Sequence, residues 1–93
     1  MRVIWTEAAI NHLIEVRDYV ARDKPEAARQ LAQKIRKSIA RLALLPHLGR
    51  AGREPETREL IIGGTPYIVC YQVHRERLII LAIIHSARER SQE

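Results

Sequence analysis

The sequence predicts a single α+β domain with an N-terminal strand, an antiparallel helical hairpin and a three-stranded antiparallel meander, the helices packed on one face of the sheet. Two stretches between residues 6 and 45 repeat apolar residues with the period of a helix, and three stretches after residue 57 have the short apolar or alternating pattern of strands. The chain of 93 residues has room for one domain, residues 1–93. Hydrophobic residues make up 46% of it, so a folded core is expected rather than disorder.

The first two elements are a short strand over residues 2–5 and the helix that follows it. Thr6 has the side chain of a helix N-cap, and Glu7 places a negative charge in the first turn, where the helix dipole favours it. The next apolar positions recur at spacings of four, three and four, which is one face of an amphipathic helix. They are Ala9, Leu13, Val16 and Val20.

A second helix is predicted over about residues 24–45. Pro25 disfavours helical backbone at Lys24, and Asp23 with Glu26 has the spacing of a capping box, so a new helix is expected to start here. Its apolar stripe consists of Ala28, Leu31, Ile35, Ile39 and Leu42, and its solvent face carries Arg29, Lys34, Arg36, Lys37 and Arg41. The very short break between the two helices predicts an antiparallel hairpin.

The second half of the chain predicts one loop and three strands. Residues 46–57 contain two Gly and two Pro and are expected to form the loop. The strands are predicted over residues 58–62, 66–73 and 78–84, with Gly63-Gly64 in the first turn. One face of the middle strand carries Tyr67, Val69, Tyr71 and Val73. The last strand is apolar on both faces and should lie inside the sheet.

Charge and composition limit the partners and the location. The formal net charge is +5 and the pI is about 10.0, which suits binding to nucleic acid, a ribosome or an acidic protein, although a basic surface can also serve solubility alone. The single cysteine, Cys70, cannot form an internal disulfide and is expected in the core. The longest apolar run, residues 78–84, is far shorter than the roughly 20 residues of a membrane span, so a cytoplasmic protein without membrane contact is expected.

No residue pattern predicts a metal or cofactor site, and we expect neither. The histidines His12, His47, His74 and His85 lack the spacing of metal ligands. The sequence contains no phosphate-binding loop and no nucleophile elbow.

Basic residues at the ends of the predicted strands form a candidate binding site. Arg58 opens the first strand of the meander, His85 and Arg88 follow the last strand, and Arg50 and Arg53 lie in the preceding loop. If these residues converge at one edge of the sheet, their side chains can hold phosphates. The alternative is that Arg58 pairs with a neighbouring glutamate, that the C-terminal arginines are solvated charges, and that His85 has a structural hydrogen bond.

Four stretches resemble the ParE/RelE superfamily of toxins. Residues 45–50, Leu-Pro-His-Leu-Gly-Arg, resemble the loop after the second helix of that superfamily, and residues 57–60, Thr-Arg-Glu-Leu, resemble its next strand. Residues 66–73 resemble its Pro-Tyr strand, and residues 78–88 resemble its last strand with the histidine and arginine that follow. The resemblance covers essentially the whole chain in the right order. It implies the toxin of a type II toxin–antitoxin pair.

The superfamily divides by mechanism, and the two branches differ in their residues. RelE-like toxins cleave mRNA in the ribosomal A site, whereas ParE-like toxins poison DNA gyrase. RelE-like nucleases carry an arginine beside the strand tyrosine, where this chain has Ile68, and lysines in the preceding strand, where this chain has the apolar residues 60–62. They carry an aromatic residue near the C-terminus, where this chain has residues 91–93, Ser-Gln-Glu. Only Arg88 matches a residue of the nuclease set, an arginine. Since the loss of one well-placed donor typically costs about 10²–10³ in rate, the resemblance favours a ParE-like toxin that is not an enzyme.

Three functions stay open at this point. The first is inhibition of gyrase, with target contacts from Arg50, Arg53, Arg58, His85, Arg88 and Arg90. The second is a ribosome-dependent mRNA interferase with a reduced active site of Arg58, His85 and Arg88. The third is a non-toxic module that only binds an antitoxin.

All three functions imply a cognate antitoxin with a flexible, acidic and amphipathic C-terminal segment that folds onto this chain. The expected dock is an apolar groove along the helical hairpin and the sheet, and the basic second helix would favour such a partner. The expected contacts are Leu13, Val16, Val20, Leu31, Ile35 and Tyr71. This chain itself is not expected to bind DNA sequence-specifically, and its target would be gyrase or the ribosome.

Overall fold

The computed structural model describes residues 1–87 and confirms the predicted α+β fold. Its elements are β1 (Arg2–Trp5), α1 (Glu7–Ala21), α2 (Pro25–Leu44), β2 (Arg50–Ala51), β3 (Thr57–Ile61), β4 (Tyr67–His74) and β5 (Arg77–His85). Two of the candidate residues, Arg88 and Arg90, lie outside the described part of the chain.

The sheet has five strands in the order β1-β5-β4-β3-β2, one more than the sequence predicts. The additional strand, β2, lies within the segment predicted as a loop and consists of only two residues, both exposed. It therefore has no apolar periodicity by which it could be recognised. Backbone pairing with β3 defines it, with Arg50 opposite Glu59 and Ala51 opposite Arg58.

The last strand lies inside the sheet, as its apolar residues predict. It pairs with β4 in the antiparallel direction and with β1 in the parallel direction. A parallel pair needs a long crossover connection, and the chain from α1 onward supplies it between β1 and β5. The helical hairpin is part of this crossover connection, and it covers one face of the sheet.

Both helices begin about where predicted, but the predicted cap is confirmed only for α1. Thr6 Oγ1 accepts a hydrogen bond from the backbone N–H of Ala9 at 3.1 Å, which confirms Thr6 as the N-cap. The predicted capping box at Asp23 is wrong, because α2 begins at Pro25 with Lys24 as an N-cap that makes no side-chain cap bond. Proline has no N–H that needs a cap, and its fixed φ already suits the first helical turn.

The core lies between the helical hairpin and one face of the sheet. Tyr67, Val69 and Tyr71 of β4 are buried there, and Val73 packs at the border, so the face predicted for this strand is confirmed. From the helices, Ala9 of α1 joins the apolar stripe of α2, namely Leu31, Ile35, Ile39 and Leu42. Cys70 is half-buried and lies opposite Glu59 on the other face of β4, so its placement in the core was wrong.

Two polar side chains, from the N-cap Thr6 and from His12 of α1, hydrogen-bond to the backbone of β5. Strand β1 ends at Trp5, which pairs with Ile80, so the following residues of β5 extend beyond their parallel neighbour. Thr6 donates its hydroxyl to the carbonyl of Ile80 at 2.8 Å, and the N–H of Ile83 donates to Nδ1 of His12 at 3.2 Å. These two side chains therefore bind backbone groups of β5 at and beyond the point where its pairing with β1 stops.

Among residues 1–87, no helix has both the length and the apolar character that crossing a membrane requires.

Candidate functional site

The segment from Pro46 to Arg53, which we call the basic loop, carries exposed cationic side chains at the end of the sheet. Its beginning is attached to Tyr71, whose side chain is fully buried. The hydroxyl of Tyr71 accepts a hydrogen bond from the N–H of Gly49 at 2.9 Å and donates one to the carbonyl of Pro46 at 2.7 Å. The end of the basic loop contains β2, which pairs with β3.

Gly49 lies where the basic loop passes close against Tyr71 and the backbone of β3. A Cβ atom at this position would lie 2.5 Å from the hydroxyl oxygen of Tyr71 and 2.8 Å from the carbonyl oxygen of Glu59. Both distances are well inside van der Waals contact, so any larger residue would push the loop away. The carbonyl of Gly49 accepts a hydrogen bond from Nη1 of Arg58 at 2.8 Å.

An ion pair joins the basic loop to β3. Nη2 of Arg50 lies 3.2 Å from Oε1 of Glu59, and the side chain of Glu59 is only 9% exposed while that of Arg50 is 58% exposed. A buried carboxylate needs such a partner, whereas the exposed guanidinium keeps other donors available to solvent or to a partner. The pair therefore fixes the direction of Arg50 without hiding it.

A cleft of about 990 Å³ lies beside α1 and the sheet, and we call it the α1–sheet cleft. Its charged and histidine lining residues are Glu15, Asp18, Arg22, Arg53, Glu54, Glu59, His12 and His85. Among these described residues, carboxylates outnumber guanidinium groups. A polyanion such as RNA is repelled by like charges at short range, so this lining does not suit a phosphate-binding site.

The predicted basic cluster is only partly assembled. Arg53 and His85 line the α1–sheet cleft together, whereas Arg50 and Arg58 do not line it and are engaged by Glu59 and Gly49. The alternative in which Arg58 pairs with a neighbouring glutamate is not what the structure has for Glu59, because it is Arg50 that pairs with Glu59. Arg88 and Arg90 lie outside the described residues, and all six positions remain predictions as target contacts.

The residues proposed for a reduced nuclease site are far apart where they are described. Arg58 pairs with Tyr71 and His85 pairs with Tyr67, four positions along β4 and on opposite sides of it. With about 3.3 Å per residue and about 4.8 Å between strands, their Cα atoms are separated by about 16 Å. Since the guanidinium of Arg58 is also bound to Gly49, the two side chains are not arranged around one phosphate.

The residues predicted to contact an antitoxin lie in or beside the core. Ile35 and Tyr71 are fully buried, Leu31 is nearly so, and Leu13, Val16 and Val20 pack against the core from α1. Their role stays a prediction, and contact with the buried members would require the hairpin to move off the sheet. The large apolar side chains that are exposed here are instead Met1, Ile10, Ile14, Tyr19, Leu44, Leu45, Leu48 and Ile61.

Sequence reasoning missed the role of Tyr71 and the acidic lining of the cleft. The partners of the Tyr71 hydroxyl are 22 and 25 residues away in the sequence, so no local motif indicates them. The carboxylates of the cleft come from α1, β3 and the turn before it, and only the fold brings them together. In the described part of the chain, no three His, Cys, Asp or Glu side chains are grouped as metal ligands would be.

Comparison with known proteins gives matches over nearly the whole chain. The family model for the ParE toxin of type II toxin–antitoxin systems, parDE, matches residues 3–90. A putative toxin of Sinorhizobium fredii, Y4kP, is 35% identical over 88 residues, covering 95% of this chain and 91% of that protein. Toxin RelE2 of Caulobacter vibrioides is 33% identical over 87 residues, covering 94% of this chain and 97% of that protein.

Solved structures of two kinds share the fold. The chromosomal ParDE toxin–antitoxin system from P. aeruginosa matches with a TM-score of 0.83 and 25% identity, covering 91% of this chain and 95% of that chain. The E. coli RelBE toxin–antitoxin complex matches with a TM-score of 0.65 and 12% identity, covering 88% and 92%. The isolated E. coli RelE toxin matches with a TM-score of 0.66 and 11% identity, covering 98% and 95%.

Proposed function

Because the chain belongs to the ParE toxin family of type II toxin–antitoxin systems, we propose that it arrests growth by binding DNA gyrase and that it does so without cleaving RNA. The ParDE structure is more similar to this chain than the two RelE-containing structures, in both TM-score and sequence identity. The chain also lacks most of the basic and aromatic residues that RelE-like nucleases carry. Both observations support the gyrase-directed branch.

The strongest structural support is the arrangement of Arg58 and His85. Cleavage of RNA needs a base, an acid and charge stabilisation around one phosphate. Arg58 is bound to the carbonyl of Gly49 and lies about 16 Å from His85 by strand geometry. The cleft that His85 lines is rich in carboxylates. A protein–protein contact with the target needs none of this chemistry.

The proposed target surface is the basic loop. Arg50 and Arg53 are exposed; the pairing of β2 with β3 holds the backbone of Arg50, and Arg53 follows two residues after β2 ends. Arg side chains are enriched among residues that dominate protein–protein binding, because the planar guanidinium combines apolar contact with several hydrogen bonds. Contacts of this kind should be sensitive to ionic strength.

Gyrase supercoiling in the presence of purified toxin tests the proposal. We expect inhibition by the unmodified protein at micromolar concentration, and at least about thirtyfold weaker inhibition by the double variant Arg50→Ala/Arg53→Ala, since binding residues of this type cost about 2 kcal/mol or more on truncation. Lys34→Ala/Lys37→Ala is the matched control, because it removes the same charge from the solvent face of α2. Unaffected supercoiling with the unmodified protein would remove gyrase as the target.

A ribosome-dependent mRNA interferase is the second candidate, and the relative named toxin RelE2 favours it. Primer extension on translated mRNA after induction separates the two functions. Cuts in the ribosomal A site that disappear in Arg58→Ala or His85→Ala would establish the interferase and overturn the gyrase proposal. Expression without any effect on growth would indicate a non-toxic module that only binds its antitoxin.

We propose the outer groove of the helical hairpin as the surface for the cognate antitoxin, by analogy with the ParDE and RelBE toxin–antitoxin systems. The small residues Ala21, Ala28 and Ala32 line this groove, and Arg17 and Arg36 line it as well. A floor of small side chains admits a helix closely, and the arginines attract acidic residues on that helix. The double variant Arg17→Glu/Arg36→Glu should weaken co-purification of the antitoxin. Lys34→Glu/Lys37→Glu makes the same charge change at two residues of α2 that do not line the groove, and it should not.

A further inference from the structure

We propose that Tyr71 is a positioning residue for target binding, because its hydroxyl fixes the basic loop in the conformation that presents Arg50 and Arg53. This inference rests on the proposed role of the basic loop in binding the target. It gives Tyr71 a role different from the antitoxin contact predicted from the sequence, since the side chain is fully buried and its polar atom faces the loop.

A single hydroxyl makes both attachments at the beginning of the basic loop. It donates to the carbonyl of Pro46 and accepts from the N–H of Gly49, so both hydrogen-bonding capacities of the phenol are used. Among the described residues, a backbone bond from the N–H of Leu48 to the carbonyl of Leu45 at 3.2 Å closes the turn at this point. The path of the loop from Pro46 to Gly49 therefore depends in large part on the phenol oxygen.

Gly49 is held from both sides by one pair of residues. Tyr71 on β4 and Arg58 on β3 are directly opposite in the sheet register. Tyr71 binds the N–H of Gly49 and Arg58 binds its carbonyl at 2.8 Å, so the peptide groups on both sides of the Gly49 Cα are fixed. The next residue is Arg50, the first residue of β2. The Tyr71–Arg58 pair thus fixes the backbone immediately before Arg50, whose side chain is in turn directed by its ion pair with Glu59.

The expected consequence is a loss of target binding with the fold retained. Tyr71→Phe keeps the buried ring and removes only the oxygen, which leaves the N–H of Gly49 and the carbonyl of Pro46 without this partner. The loop then populates conformations that do not match the target. The apparent affinity equals the intrinsic affinity multiplied by the fraction of molecules in the competent conformation, so it falls as that fraction falls. A general loss of stability would instead weaken target binding and antitoxin binding together.

The experiment compares three full-length proteins: the unmodified chain, Tyr71→Phe, and the core variant Ile39→Val, with Ile39→Ala used if a larger drop is needed to match the melting temperature of Tyr71→Phe. Ile39 is buried in α2, and its side chain has no polar atom that could hydrogen-bond to the basic loop. The readouts are amide hydrogen exchange, growth inhibition on induction, gyrase inhibition, and affinity for the antitoxin.

In Tyr71→Phe we expect the amides of residues 48–52 to exchange at least about tenfold faster, with exchange in β4 and β5 unchanged. We also expect at least about tenfold weaker growth inhibition and gyrase inhibition, with antitoxin affinity within about twofold of the unmodified chain. The Ile39 variant whose melting temperature matches that of Tyr71→Phe should keep the growth inhibition and gyrase inhibition of the unmodified chain.

Unchanged exchange in the loop, full growth inhibition by Tyr71→Phe, or an equal loss in the core variant would each overturn the inference. Failure of the proposed function looks different. If the unmodified chain stops growth without inhibiting gyrase, the target is wrong while the growth arm still tests Tyr71. If Arg50→Ala/Arg53→Ala keeps full toxicity, the basic loop is not the target surface and the inference falls with it.

Discussion

Replacing His12 tests how α1 is attached to the sheet. The N–H of Ile83 donates to Nδ1 of His12, at a point where β1 has ended and no other strand of residues 1–87 lies on that side of β5. His12→Ala removes the acceptor and leaves a buried N–H unsatisfied, which costs about 1–3 kcal/mol. Because His12 is only half-buried and water can replace part of the bond, we expect the lower part of that range, about 1–2 kcal/mol.

Equilibrium unfolding in urea, with thermal unfolding as a second probe, measures the effect. For a domain of this size, 1 kcal/mol lowers the melting temperature by roughly 4–8 °C. His12→Asn is the matched variant, because its side-chain oxygen can accept the same hydrogen bond, and it should retain most of the stability. The reasoning is refuted if His12→Ala is as stable as the unmodified chain, or if both variants are destabilised equally.

Three further predictions follow from the contacts described above. Thr6→Ala should lower the free energy of unfolding measured in urea by about 1 kcal/mol, because it removes the N-cap of α1, whereas Thr6→Ser keeps a capping hydroxyl and should retain most of the stability. Gly49→Ala should destabilise by about 1–3 kcal/mol, since its Cβ meets the Tyr71 hydroxyl at 2.5 Å, and Gly63→Ala, where the Cβ meets nothing within 4 Å, is the control. Antitoxin affinity should fall as salt rises, because Arg17 and Arg36 line the proposed groove, and a salt-independent affinity measured by calorimetry would contradict that placement.

The parts of the fold that could be predicted from the sequence are those determined over short distances. The cap at Thr6, the two helices and the internal position of the last strand follow from apolar periodicity and capping chemistry, which act within one or two turns or along one strand. The capping box at Asp23 was predicted wrongly because Pro25 can begin a helix by itself, so that the carboxylate of Asp23 was not needed there.

The parts that could not be predicted depend on contacts between distant residues. Strand β2 exists only because Arg50 and Ala51 meet β3, and nothing in two exposed residues indicates a strand. Likewise, the sequence left Arg58 open between a phosphate-binding cluster and an ion pair, whereas the fold places the carbonyl of Gly49 against it. The sequence therefore indicates which residue types could form the candidate site, but it does not indicate how they are arranged.

The parallel pairing of β1 with β5 determines when this protein can finish folding. Arg2–Trp5 takes all of its strand partners from residues 77–80, near the other end of the chain. During synthesis the first strand has no place in the sheet until the last strand has left the ribosome, and contacts between distant residues form slowly. Each newly made toxin should therefore pass through an interval in which α1 and α2 exist but the sheet beneath them is incomplete. A partner that recognises only the helical hairpin would meet its toxin before that toxin can act.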